Sequence, residues 1–107
     1  MMNPILKPIL NSLKQDLMAL YRERLVQLTL FGSQAQGNEQ PESDIDVLVV
    51  LRSPVNPAEE IKRTGKIVAD LSLHYDVVIS CLFINEIDYQ TRNNALLRNI
   101  RKEGVLL

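Results

Sequence analysis

Cysteine occurs once in the 107 residues, at Cys81. A lone cysteine cannot close an internal disulfide and offers no zinc-binding motif. Such a chain is compatible with a reducing compartment. Long apolar runs are also lacking, and no stretch approaches the ~20 residues of a membrane-spanning helix. Met1 to Leu10 include a lysine but neither an extended apolar segment nor a small-residue cleavage site, so no signal peptide is expected. Strong charge of either sign is missing too. Twelve Lys and Arg stand against 13 Asp and Glu, a net charge of −1. There is then no global electrostatic pull toward nucleic acid or an anionic membrane, and nucleic-acid-binding domains of this size are more often basic. These absences point to a cytosolic protein with neither a membrane nor nucleic acid as a direct partner.

What is present fits one ordinary globular domain, 46% apolar and 23% charged. A chain of this length hides roughly 60–70% of its unfolded surface. No repeat, low-complexity tract or linker divides it, so a single domain over residues 1–107 is expected.

The pattern alternates helix and strand. Asn3 and Pro4 read as a cap followed by a first helical residue. Leu6, Leu10, Leu13, Leu17 and Leu20 then recur at helical spacing, predicting a helix to Tyr21 or Arg24. Leu25 to Phe31 is rich in strand formers. Gly32 to Ser43 is polar, with two glycines and a proline, and reads as a loop with room for one helical turn. Asp44 to Leu51 is the second strand, and its run Val47 to Val50 suits a central position buried on both faces. Pro57 opens a second helix with Glu59 and Glu60 near its positive end. Ala58, Ile61, Val68 and Leu71, with Gly65 in the same stripe, form its expected inner side to about His74. Tyr75 to Phe83 is the third strand. Asn85 to Asn94 is open between a short helix and a turn, and Ala95 to Glu103 is helical, with Gly104 as its stop. The expected fold is α/β in the α+β sense: a small three-stranded mixed sheet covered by helices.

The chemistry concentrates in Gly32, Ser33, Asp44 and Asp46. Side chains on a strand alternate, so Asp44 and Asp46 point the same way with alpha carbons about 6.5 Å apart. Two carboxylates this close repel one another unless a cation lies between them. Mg²⁺ suits oxygen ligands and shares its shell with substrate phosphates. Asp76 opens the expected third strand. If that strand lies beside the second, three carboxylates converge, enough for two metals roughly 3.5–4 Å apart. Gly32 allows backbone to approach a phosphate, and the turn N–H groups with the Ser33 hydroxyl supply donors. The structural alternative treats Asp44 and Asp76 as turn residues. It leaves Asp46 inside an apolar strand, where an unpaired carboxylate is costly.

Other residues have plain readings. Arg98, Arg101 and Lys102 form a basic edge at helical spacing, either solvated or a contact for triphosphate or an acidic partner. Leu96, Leu97 and Ile100 read as core. His74 reads as a helix-end cap and Cys81 as a buried, inert thiol. Glu39 and Glu42 read as solvated loop charges. Tyr89 is open between stacking on adenine and a surface position.

The spacing Gly32-Ser33, ten residues, Asp44-x-Asp46 is similar to the G-S-x10-D-x-D signature of the DNA polymerase beta-like nucleotidyltransferases. Over essentially its full length the chain resembles the minimal nucleotidyltransferases (MNT), many of which act as antitoxins of HEPN ribonucleases. The resemblance implies an enzyme that transfers AMP from ATP to a tyrosine hydroxyl of a HEPN toxin, within a hetero-oligomer. It implies that Asp44, Asp46 and Asp76 hold two Mg²⁺ ions, with Asp76 also serving the attacking hydroxyl. Gly32 and Ser33 would hold the nucleotide phosphates. One departure stands out: Gln34 and Gln36 occupy positions where many relatives carry arginines. A non-catalytic antitoxin acting by occlusion is the main alternative. An aminoglycoside-type small-molecule transferase ranks behind it, because those relatives generally add a helical substrate domain.

Overall fold

The computed structural model describes residues 4–32, 34, 35 and 44–107. Eight principal elements follow in order: α1 (Leu6–Tyr21), β1 (Leu25–Phe31), β2 (Ile45–Leu51), α2 (Pro57–Tyr75), β3 (Ile79–Asn85), α3 (Glu86–Thr91), α4 (Ala95–Glu103) and β4 (Val105–Leu106). A 3₁₀ turn, Arg22–Arg24, joins α1 to β1.

The sheet order is β3-β2-β1-β4. β1 runs antiparallel to both β2 and β4, while β2 and β3 are parallel. The sheet is therefore mixed, as expected, but has four strands rather than three. The addition is small: Val105 and Leu106 pair with Leu30 and Thr29 at the edge of the same fold. Two residues are too few to show strand periodicity.

β2 is central and buried along its length except for half-buried Asp46. Its alternation divides the interior in two. Ile45, Val47, Val49 and Leu51 join the larger core with Ile9, Leu13 and Leu17 of α1 and Leu71 of α2. Leu48 and Val50 meet Leu97 and Ile100 of α4 on the other face. The continuous apolar run of β2 follows from this double burial. Leu96, expected in the core, is instead 48% exposed.

Two helices depart from the expected detail. Asn3 lies outside the described residues, and α1 starts at Leu6 with Ile5 before it and no side-chain cap. Pro8, rather than Pro4, sits in its first turn, where a missing N–H costs no helical bond. In α2, Pro57 opens the helix and Asn56 Oδ1 accepts from the N–H groups of Ala58 at 3.1 Å and Glu59 at 3.4 Å. The inward residues are Glu60, Thr64 and Leu71, whereas Ile61 faces out. The stripe is turned because Glu60 has a partner inside, the Tyr21 hydroxyl from which it accepts at 2.7 Å, while exposed Arg63, one turn along the helix, pairs with it at 3.2 Å.

The third strand begins later than its composition suggested. α2 continues through Tyr75, Asp76 terminates it in the left-handed region (φ 53, ψ 52), and β3 starts at Ile79. The segment left open between helix and turn forms α3, capped by Asn85 Oδ1 accepting from the Asp88 N–H at 2.8 Å.

Candidate active site

Asp44 and Asp46 stand at the N-terminal end of β2, where its register partners are Phe31 on β1 and Ser80 on β3. Asp44 is exposed just before the strand, and Asp46 is half-buried within it. Burial and the neighbouring charge of Asp44 both raise the Asp46 carboxyl above its ordinary range. A half-buried carboxylate beside another is a donor set short of positive charge.

Gly32 completes the pocket for Asp46. It follows β1 with φ +76, a conformation that L side chains rarely adopt. A Cβ built there would lie 2.6 Å from Asp46 Oδ2. The absent side chain is the space the carboxylate occupies. The residues fit a hard divalent cation in two respects. The two carboxylates are near enough for the charge of one to act on the other, and oxygen donors are what such a cation takes.

The third expected carboxylate is placed differently. Asp76 is exposed at the C-cap of α2 rather than on β3. It lies at the same end of the sheet, since β2 and β3 are parallel and the Ile45 N–H donates to the Val78 carbonyl at 2.8 Å. Among the described residues no three His, Cys, Asp or Glu side chains gather closely enough to hold a metal ion. The structure thus brings Gly32, Asp44 and Asp46 together and leaves Asp76 at the margin. Ser33, Gln36, Glu39, Glu42 and most of the expected loop lie outside the described residues. Gln34 is buried.

Other candidates belong to the scaffold. The Tyr89 ring lies under the Arg101 guanidinium, 5.0 Å from the ring centroid, and its hydroxyl meets Gln27 Nε2 at 3.2 Å. Gln27 pairs with Val50, at the far end of β2 from Asp46. Arg101 donates to the carbonyls of Tyr89 and Arg92, and Arg98 to that of Asn93, so these two cations tie α4 to α3 and its exit. Burial pushes the Cys81 thiol up to about 11, which keeps it protonated near neutral pH. No helix among the described residues is long and apolar enough to cross a membrane.

Ser80 is the polar group that sequence reasoning passed over. It is exposed, and its partnership with Asp46 emerges only from the parallel register.

Comparison with known proteins bears on the family and the fold. A curated relative from Methanocaldococcus jannaschii, named as a proposed protein adenylyltransferase, is 35% identical over 103 residues, covering 95% of this chain and 93% of its own. A solved minimal nucleotidyltransferase superposes with a TM-score of 0.62 at 19% identity and 95% coverage of each chain. A toxin–antitoxin structure with AMP-PNP gives the same TM-score at 18% identity, covering 89% of this chain and 69% of that one. The complex of a tri-AMPylated Shewanella oneidensis HEPN toxin with its MNT antitoxin gives 0.53 at 14% identity, with coverages of 92% and 70%. The nucleotidyltransferase domain model matches residues 10–107, which takes in every described element of the site. The chain belongs to the nucleotidyltransferase domain family.

Proposed function

We propose that this nucleotidyltransferase moves AMP from ATP to a tyrosine hydroxyl of a HEPN-type ribonuclease and so acts as its antitoxin in the cytoplasm. The observation that carries the reading is Asp46 in β2 seated against Gly32, with the charge of Asp44, just before the strand, acting on it. The near full-length relative named for protein adenylylation and the AMPylated HEPN complex of similar fold support the choice of acceptor. The AMP-PNP complex supports ATP as donor.

In this reading Asp44 and Asp46 hold Mg²⁺, two ions in the fullest form. Bound there, the metal supplies Lewis-acid stabilisation of charge on the reacting phosphate. Gly32 and Ser33 cradle the outgoing phosphates. The acceptor oxygen bonds to the α-phosphorus, the bond from that phosphorus to the bridging oxygen breaks, and pyrophosphate leaves. Asp76, exposed at the same end of the sheet, takes the acceptor's proton.

The test is transfer of label from α-labelled ATP to a co-purified HEPN partner. Wild type labels the partner, and the Asp44→Asn/Asp46→Asn double variant does not. Equal labelling by both overturns the mechanism. Gln34 and Gln36, standing in place of loop arginines, favour occlusion as the second reading. Full rescue from toxicity by the double variant, at equal expression, would select it.

A further inference from the structure

Gly32 and Ser80 flank Asp46 from opposite sides. β1 brings Phe31, and with it Gly32, to one flank. β3 brings Ser80 to the other, at the ~4.8 Å spacing of neighbouring strands. Residues paired in register share a face of the sheet, so the Ser80 hydroxyl and the Asp46 carboxylate point to the same side.

Burial along β3 records this alternation. Val77, Ile79, Cys81 and Phe83 belong to the core under α1 and α2. Val78, Ser80 and Leu82 face the other way and are exposed, Val78 at 59% and Leu82 at 41%. On that face α4 covers Leu48 and Val50 of β2. The strip ends in a cavity of about 170 Å³ lined by Leu82, Ile84, Leu96 and Leu97 and by the polar Arg92 and Asn94. From Val78 to Leu82 it is an exposed apolar strip, interrupted by the Ser80 hydroxyl that pairs in register with Asp46.

We propose that the Val78–Ser80–Leu82 strip is the acceptor subsite, and this rests on the AMP-transfer reading above. The topology separates the substrates. Nucleotide phosphates occupy the Gly32 side of Asp46, and the acceptor protein lies over β3 with its reacting hydroxyl hydrogen-bonded by Ser80. The occupant is a protein segment whose hydroxyl side chain is flanked by apolar residues. A charged flank would be buried unpaired against Val78 and Leu82, which is costly.

The experiment measures AMP transfer to the purified HEPN partner alongside binding of AMP-PNP with Mg²⁺. Val78→Lys and Leu82→Lys alter exposed positions and leave the fold intact, as melting curves would verify. Each raises the KM for the partner by about tenfold or more while AMP-PNP affinity stays at the wild-type value. Ser80→Ala lowers kcat by about three- to tenfold, the worth of one hydrogen bond, and Ser80→Thr restores it. Wild-type-like KM in both lysine variants overturns the acceptor strip and leaves the AMP-transfer reading standing. Absence of partner labelling by the wild-type protein overturns that reading, and the strip with it.

Discussion

Gly32 and Asp46 share one space: the position a Cβ would take on Gly32 lies 2.6 Å from Asp46 Oδ2. Gly32→Ala therefore does two things. It strains a residue at φ +76 and it pushes the carboxylate away from its seat. A loss of about 1–2 kcal/mol in stability is expected from the backbone conformation. Divalent-ion affinity, followed by Mn²⁺ titration, should fall as well, because the Asp46 donor is displaced. A variant that loses stability but binds Mn²⁺ as wild type does would show that the carboxylate seat does not depend on position 32.

The aspartate pair sets a pH dependence of known sign. The folded state raises the Asp46 carboxyl above its unfolded value, through burial first and the Asp44 charge second. Protonated Asp46 is therefore the form that folding favours. Its contribution to stability is present at low pH and is lost as pH rises through the raised folded pKa. Without divalent ions, Asp46→Asn should melt above wild type near neutral pH. The gap should close below the ordinary carboxylate range, about pH 4. Adding Mg²⁺ should raise the wild-type melting temperature and leave that of the variant unmoved, since only an ion that binds the native state stabilises it. Parallel curves across pH would remove the proposed repulsion.

In the proposed mechanism, a substitution at Asp76 distinguishes metal binding from proton transfer. Its φ of 53 suits Asn as well as Asp, so Asp76→Asn keeps the helix cap. Mn²⁺ affinity should stay within about twofold of wild type, because no three-carboxylate cluster forms among the described residues. AMP transfer should fall by about a hundredfold, the typical worth of a positioned general base. A large loss of Mn²⁺ affinity would instead return Asp76 to the ion, as the sequence spacing first suggested.

The approach of Gly32 to Asp46 was legible in the sequence because the spacing is short-range. Asp46 and its neighbour Asp44 are close in sequence, and Gly32 directly follows Phe31, the β1 partner of Asp46. The double burial of β2 was equally plain in Val47 to Val50. What stayed hidden depends on long-range partners. Apolar spacing on α2 favoured Ile61, yet Glu60 turns inward because the Tyr21 hydroxyl of α1 meets it there. The run Tyr75 to Phe83 reads as one strand, but its first residue completes α2 and Asp76 ends the helix. Ser80 acquires meaning only from the β2–β3 register, which no local pattern encodes.

Glu60 offers a control that touches the fold and not the site. It is 2% exposed, accepts from the Tyr21 hydroxyl at 2.7 Å, and lies 3.2 Å from Arg63 and 3.9 Å from Arg24. Burial, then the hydrogen bond to Glu60 and its charge, push the Tyr21 hydroxyl above its usual range. Glu60→Ala should cost about 2–3 kcal/mol, since it leaves a buried hydroxyl without its acceptor. Tyr21→Phe should cost about 1 kcal/mol, and the double variant less than the sum, because the two share one interaction. Arg24 adjoins the Leu25–Leu51 end of the β1–β2 pair, whereas Asp46 pairs with Phe31 at the other end. Urea unfolding should therefore register these losses while Mn²⁺ affinity under native conditions stays at the wild-type value. A drop in Mn²⁺ affinity in Tyr21→Phe would mean that the two ends of the sheet are coupled.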